Sequence, residues 1–372
     1  MKQPTCRPMK SLTHSESTFE GGRPRSLSPG VIHQVRDLML RTSRPINGTP
    51  DRLIVLLSAS RSGSTTVHDL LSRCPGVAAL AGEIEPYLRL TGNAQGADGS
   101  NQIIHPRDVA ALRELVRTDL REWAHPCEPT EEYSHRRTIL QWPESGYCKD
   151  AGWIDGSKST SVDLPILEEP PLVPIAGARR PESLYGKVVL IKTPQLVYRR
   201  PVIESLFPGV PIQYVWLQRS APGTVNGLLD GWLGPHFWSY RLPAPDGSPL
   251  PGWWCFDVPP GWHKAKTLLD ACVKQWYEAN RSAMWFKTKP KWLPKHVLKY
   301  ETIAHGGATQ LAFDLGLAAD GLTTRLLMAS APPSVNRWIQ CRPVLADLLC
   351  RESVRNMMLN MGYTEKGMGE VW

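Results

Sequence analysis

The sequence predicts an α/β fold: a P-loop-like, doubly wound parallel sheet with helices on both faces. Three observations carry that reading. In RLIVLLS the run from Leu53 to Leu57 is five consecutive apolar residues, which a strand buried on both faces requires. SASRSGSTT follows and leads into VHDLLSR, where Val67, Leu70 and Leu71 recur at helical spacing, so the chain passes from strand through a Ser/Gly loop into a helix. Later strand-like runs alternate with helical patterns, and in such sheets ligands bind beyond the carboxyl ends of the strands.

Taken in order, residues 1 to about 30 are rich in Ser, Pro, Thr and Gly and read as a flexible arm. VIHQVRDLML places Val31, Val35 and Leu38 on one helical face, and RPINGTP ends that helix. A basic arm with its leading helix (1–48) therefore precedes one catalytic-sized domain (49–372). After the first strand, loop and helix, PRDVAALRELVRTDLREWA reads as a helix inside a long insertion, about 91–182. Further strands are KVVLIK (Lys187 to Lys192), IQYVWLQR (Ile212 to Arg219) and the weaker HVLKYE (His296 to Glu301). A second insertion, about 232–265, carries Trp232, Trp238, Trp253, Trp254 and Trp262 with Pro243, Pro245, Pro249, Pro251, Pro259 and Pro260. It reads equally as an acceptor wall, for which Trp offers apolar faces and an N–H, or as a proline-braced structural loop.

Composition narrows the function classes. A chain of 372 residues with 41% hydrophobic and 21% charged residues is an ordinary globular one, with ample length for a core. Its net charge is +8, but residues 1–50 hold eight basic against three acidic side chains, leaving a near-neutral body. A basic arm on such a body argues against nucleic acid and for a small anionic ligand. Eight cysteines without a C-x-x-C pair read as reduced thiols, and neither a secretory signal nor a bilayer-length apolar run is present, so a cytoplasmic protein is expected. No metal-ligand pattern occurs, so metal-independent chemistry is expected.

The loop after the first strand has the parts of an anion cradle. Small residues Ser62, Gly63 and Ser64 let the backbone N–H groups of a helix N-terminus close on a phosphate. Ser64, Thr65 and Thr66 add hydroxyl donors, and Arg61 a planar cation. Each charge-assisted hydrogen bond contributes roughly 1.5–3 kcal/mol. The loop is not a Walker A loop, because G-x-x-x-x-G-K-[ST] is absent.

LIVLLSASRSGSTTVHDLL resembles the 5′-phosphosulfate loop of sulfotransferases that use 3′-phosphoadenosine 5′-phosphosulfate (PAPS), in the bacterial and carbohydrate branch where it reads R-S-G-[ST]-[ST]. YVWLQRSAPGTVNGLLDGW resembles the family's 3′-phosphate element, a strand ending in Arg and then a helix with a Ser about eight residues on. Arg219 matches that Arg; the eighth residue after it is Gly227, with Asn226 before it and Ser220 near by as alternative donors. KVVLIKTPQLVYRRPVIESLFPGVPIQYVWLQR, VLKYETI, SVNRWIQ and LNMGY follow the family's order, so the resemblance spans about 50–363 and thins over the two insertions.

The resemblance implies PAPS as cosubstrate, PAP as product, and a hydroxyl or an amine or amide nitrogen of a small molecule, free or carrier-bound, as acceptor. It implies that Arg61 and the loop serve the leaving phosphate, that Lys192 reaches the bridging oxygen or the sulfonate, and that Glu83, after Gly82, is the base. Glu85 is the alternative base, expected on the same face of a strand as Glu83, with His68 and His236 as rivals. Arg337 beside Trp338 is expected over the adenine or the 3′-phosphate, and at most one of Arg199 and Arg200 at the ligand. A divergent P-loop phosphotransferase and a non-catalytic nucleotide-binding scaffold stand as alternatives.

Overall fold

The structure is a computed structural model and describes residues 44–80, 83–93, 106–123, 178–233, 238–241, 253–287, 296–318, 338–339 and 342–364. Most of the arm, much of both insertions, His236 and Arg337 lie outside the described residues.

Seven strands form the main sheet: β1 (Arg52–Ser58), β2 (Val77–Leu80), β3 (Leu120–Trp123), β4 (Ala178–Arg179), β5 (Val188–Lys192), β6 (Ile212–Gln218) and β9 (His296–Lys299), in the order β4-β3-β2-β5-β1-β6-β9. The five strands β2, β5, β1, β6 and β9 run parallel, while β3 and β4 add an antiparallel edge. β7 (Trp238–Arg241) and β8 (Trp253–Cys255) pair antiparallel in a separate ribbon within the second insertion.

The apolar run of β1 is sandwiched as its composition requires. Leu53, Val55 and Leu57 pack into one core with helices α4 (Arg200–Leu206), α5 (Ala221–Leu233) and α6 (Leu268–Lys287). Ile54 and Leu56 pack into the other, with α1 (Ser64–Ser72) and α7 (Gly307–Asp314). The alternation follows from the period-two geometry of a strand, and helices on both faces complete the doubly wound architecture. From β1 the chain moves outward to β2, returns through β5, then crosses to β6 on the other side of β1. The loop from β1 to α1 therefore sits at the point where strand order reverses.

Two local expectations differ. The stretch read as one helix through Ala124 is helical only over α3 (Val109–Thr118), capped by Asp108, and continues as β3. Leu120 pairs with Leu80 of β2, and that sheet contact outweighs the helical propensity of the segment. VAAL forms β2 although it is too short for a periodic signal, and all four residues are buried. Among the described residues of the Trp-rich insertion, Trp232 and Trp262 pack into the core.

Candidate active site

Three strand ends converge. β1, β5 and β6 finish at Ser58, Lys192 and Gln218, and the parallel register pairs Leu56 with Lys192 and Ser58 with Leu217. α1 begins directly beyond, with Gly63 as its N-cap in the left-handed conformation (φ 87°) and no side chain capping it. Its first-turn N–H groups have no intrahelical acceptor. Arg61 also adopts positive φ (64°), which turns its exposed side chain out of the loop while Ser62 and Ser64 are buried.

Lys192 is 1% exposed, and its Nζ donates to Thr65 Oγ1 at 2.6 Å and to Glu83 Oε1 at 2.5 Å. Thr193 Oγ1 donates to Glu83 Oε2 at 2.7 Å. The structure thus brings Lys192, Glu83 and the loop residue Thr65 into one buried cluster. Glu85 opens the short helix α2 (Glu85–Leu90), so the strand expected to carry both carboxylates on one face does not form. His68 is buried on α1 and reads as a packing histidine.

Arg219 follows β6, and its Nη1 donates to the Arg61 carbonyl at 2.9 Å. Its guanidinium lies 4.1 Å from the Tyr300 ring centroid, and its Nε is a buried donor with no partner among the described residues. Burial lowers its pKa; Tyr300 and Glu301 oppose that, and the nearby Arg61 adds to it. An unfilled buried guanidinium donor with a second guanidinium near by suits an anion. Gly227 lies on the same side: a Cβ there would stand 3.0 Å from the Arg61 Cβ and 3.6 Å from its Nε. The residue that departs from the family pattern is thus where the Arg61 side chain crosses α5. Asn226 is buried, and its Oδ1 accepts from Arg342 Nη1 at 2.5 Å, with Asp230 also paired to that nitrogen at 2.8 Å. Ser220 donates its backbone N–H to Glu301 at 3.0 Å, which ties α5 to the segment after β9.

Arg199 stands at the non-helical junction between the 3-10 turn and α4, and Arg200 opens α4. Arg199 is fully buried, and the Arg200 guanidinium stacks 4.3 Å from the Trp285 centroid.

One site residue had no signal in its local sequence. Asp257, fully buried after β8, accepts from Ser60 Oγ at 2.6 Å and from Tyr198 OH at 3.1 Å. Burial pushes its carboxyl up to about 6, against the lowering effect of those two hydroxyls. It lies within electrostatic reach of Glu83. The only pointer was its place within the Trp-rich insertion.

No known family profile matches the chain. No curated protein matches it either. Among solved structures, a sulfotransferase domain from the Synechococcus PCC 7002 olefin synthase is similar at 13% identity and a TM-score of 0.39, over 86% of this chain and 98% of that one. A sulfotransferase domain from the curacin biosynthetic pathway is similar at 12% identity and 0.38, over 86% and 99%. Among the described residues, no group of three or more His, Cys, Asp or Glu could hold a metal ion, and no helix is long and apolar enough to cross a membrane.

Proposed function

We propose that this chain is a PAPS-dependent sulfotransferase. The observation that carries the reading is the juxtaposition of Lys192, Glu83 and Thr65 beneath an uncapped helix N-terminus, with Arg61 and Arg219 alongside. The R-S-G-S-T loop and the Arg at the end of β6 resemble the family's two phosphate elements, which supports the same conclusion.

PAPS supplies an activated sulfonate that leaves its 5′-phosphate when a nucleophile attacks sulfur. Around that chemistry the chain's own groups divide the work. The α1 N-terminus and the hydroxyls of Ser64, Thr65 and Thr66 hold the 5′-phosphate, where negative charge grows. Arg61 serves that leaving phosphate with the loop, and Arg219, with its open Nε, holds the 3′-phosphate. Lys192 brings a buried positive charge to the transferring group, in a setting where water screens it weakly. Glu83 takes the proton from the acceptor O–H or N–H; its two oxygens already accept from Lys192 and Thr193, and each keeps a second lone pair. The acceptor is a small molecule, and a carrier-bound one fits the basic N-terminal arm, because acidic carriers are attracted to such a surface. Arg337 we assign to the nucleotide on the resemblance alone.

The test is nucleotide discrimination. PAP is expected to bind far more tightly than the same nucleotide lacking the 3′-phosphate, and Arg219→Ala to erase most of that difference. Equal affinity for both nucleotides in the unmodified protein would contradict the assignment. For the arm, deleting residues 1–30 is expected to raise KM for a carrier-bound acceptor and leave a free acceptor unchanged; an unchanged KM for both removes the carrier proposal.

A further inference from the structure

We propose that Asp257 is a positioning residue that latches the segment after β8 onto the phosphate loop, so that the loop's readiness for nucleotide depends on this carboxylate. Its carboxylate joins Ser60, on the loop leaving β1, to Tyr198, in the 3-10 turn Pro194–Tyr198 that follows Lys192 and Thr193. Its backbone carbonyl accepts from Gln275 Nε2 of α6 at 2.7 Å, and Gln275 Oε1 accepts from Trp232 Nε1 of α5 at 3.1 Å. One residue therefore meets the loop, the turn after β5 and, through Gln275, both helices that flank the site.

The neighbouring backbone points the same way. Phe256 is fully buried with φ 60°, a conformation that a bulky side chain seldom adopts and that persists only where surroundings enforce it. The Arg61 guanidinium, itself on a positive-φ residue, lies 5.8 Å from the Phe256 centroid. The two strained positions face each other across the site and are held by the Asp257 bonds next to them.

The charged and titratable groups around the carboxyl come from every packed element. Glu83 follows β2 and is paired to Lys192, Tyr198 donates directly, and Glu278 and Arg281 of α6 act through Tyr198. No cation pairs with Asp257 among the described residues, in contrast to Glu83. Ionised, the carboxylate accepts from both hydroxyls; protonated, it gives up one acceptor position and the latch loosens.

The inference rests on the sulfotransferase reading only for the identity of the nucleotide, and its test separates the two. Hydrogen exchange of a peptide spanning residues 59–66 is compared in the free protein and in Asp257→Asn, Ser60→Ala and Tyr198→Phe. The expected result is at least fivefold faster exchange of the loop in Asp257→Asn and a smaller rise in the other two. Asparagine keeps the shape but turns one acceptor into a donor, and it removes a buried charge, so Tm is expected not to fall. PAP affinity is expected to drop about tenfold in Asp257→Asn. In the unmodified protein it weakens more steeply as pH falls through about 6 than in the variant, where only the phosphates of PAP titrate. Unchanged loop exchange in Asp257→Asn and Ser60→Ala would overturn the latch. So would an affinity loss that merely follows a lower Tm with an unaltered pH profile. If the unmodified protein fails to bind PAP, the assigned reaction falls while the exchange data still decide the latch.

Discussion

Replacing Gly227 with serine places a Cβ 3.0 Å from the Arg61 Cβ, closer than side chains normally pack. Restoring the residue of the family pattern is therefore expected to weaken PAP binding several-fold, measured by titration, because Arg61 or α5 must move; tighter binding would show that only a hydroxyl was missing. Lys192 and Glu83 form a buried ion pair, and removing one member of such a pair typically costs about 3–5 kcal/mol by leaving the other unpaired. Lys192→Met and Glu83→Gln are each expected to lower stability and abolish turnover, with the double variant more stable than Lys192→Met alone. Chemical denaturation of the three variants checks this. At this scale the turn from β1 into α1 was legible because its residues are contiguous and its signals local. Asp257 was not, since its partners Ser60 and Tyr198 lie 197 and 59 residues away along the chain.

α1 depends on its first turn. Gly63 holds φ 87° at the N-cap, and a Cβ on it would run into the Tyr300 ring. Gly63→Ala combines the strain of a left-handed L-residue with overpacking and is expected to cost about 2–4 kcal/mol, read as a lowered denaturation midpoint. Arg342 ties the 3-10 stretch Pro343–Cys350 to Asn226 and Asp230 of α5. The four strands expected from the sequence, β1, β5, β6 and β9, all form, because long apolar or β-branched runs in a parallel sheet declare themselves. β3 was hidden within a helical pattern, as its identity is set by pairing with β2 rather than by its own residues. Glu85 was misplaced for the same reason: whether a four-residue segment continues as strand or turns into α2 is decided by tertiary contacts.

Two buried carboxyls shape how the whole molecule responds to pH. Burial pushes Asp119 up to about 7, where Arg121 and the Tyr87 hydroxyl only partly offset it, and Asp257 up to about 6. Both lie above the value of an unfolded Asp, near 3.9, so the folded chain binds more protons between about pH 4 and 7. These two groups therefore contribute less stability as pH rises through that window. Calorimetric scans are expected to show the descending slope from pH 5 to 7.5 flattened in the Asp119→Asn/Asp257→Asn double variant; an unaltered slope would reject the assignment.

The central claim, that the switch point between β5, β1 and β6 is a PAPS site, is tested most directly by thermal shift with PAP, ADP, AMP and ATP, each with and without Mg²⁺. A ligand that binds only the folded chain raises its apparent stability by mass action. The account predicts a shift with PAP that is independent of Mg²⁺ and lost in both Arg61→Ala and Arg219→Ala. A shift with ATP and Mg²⁺ and none with PAP would contradict it and point to phosphoryl transfer.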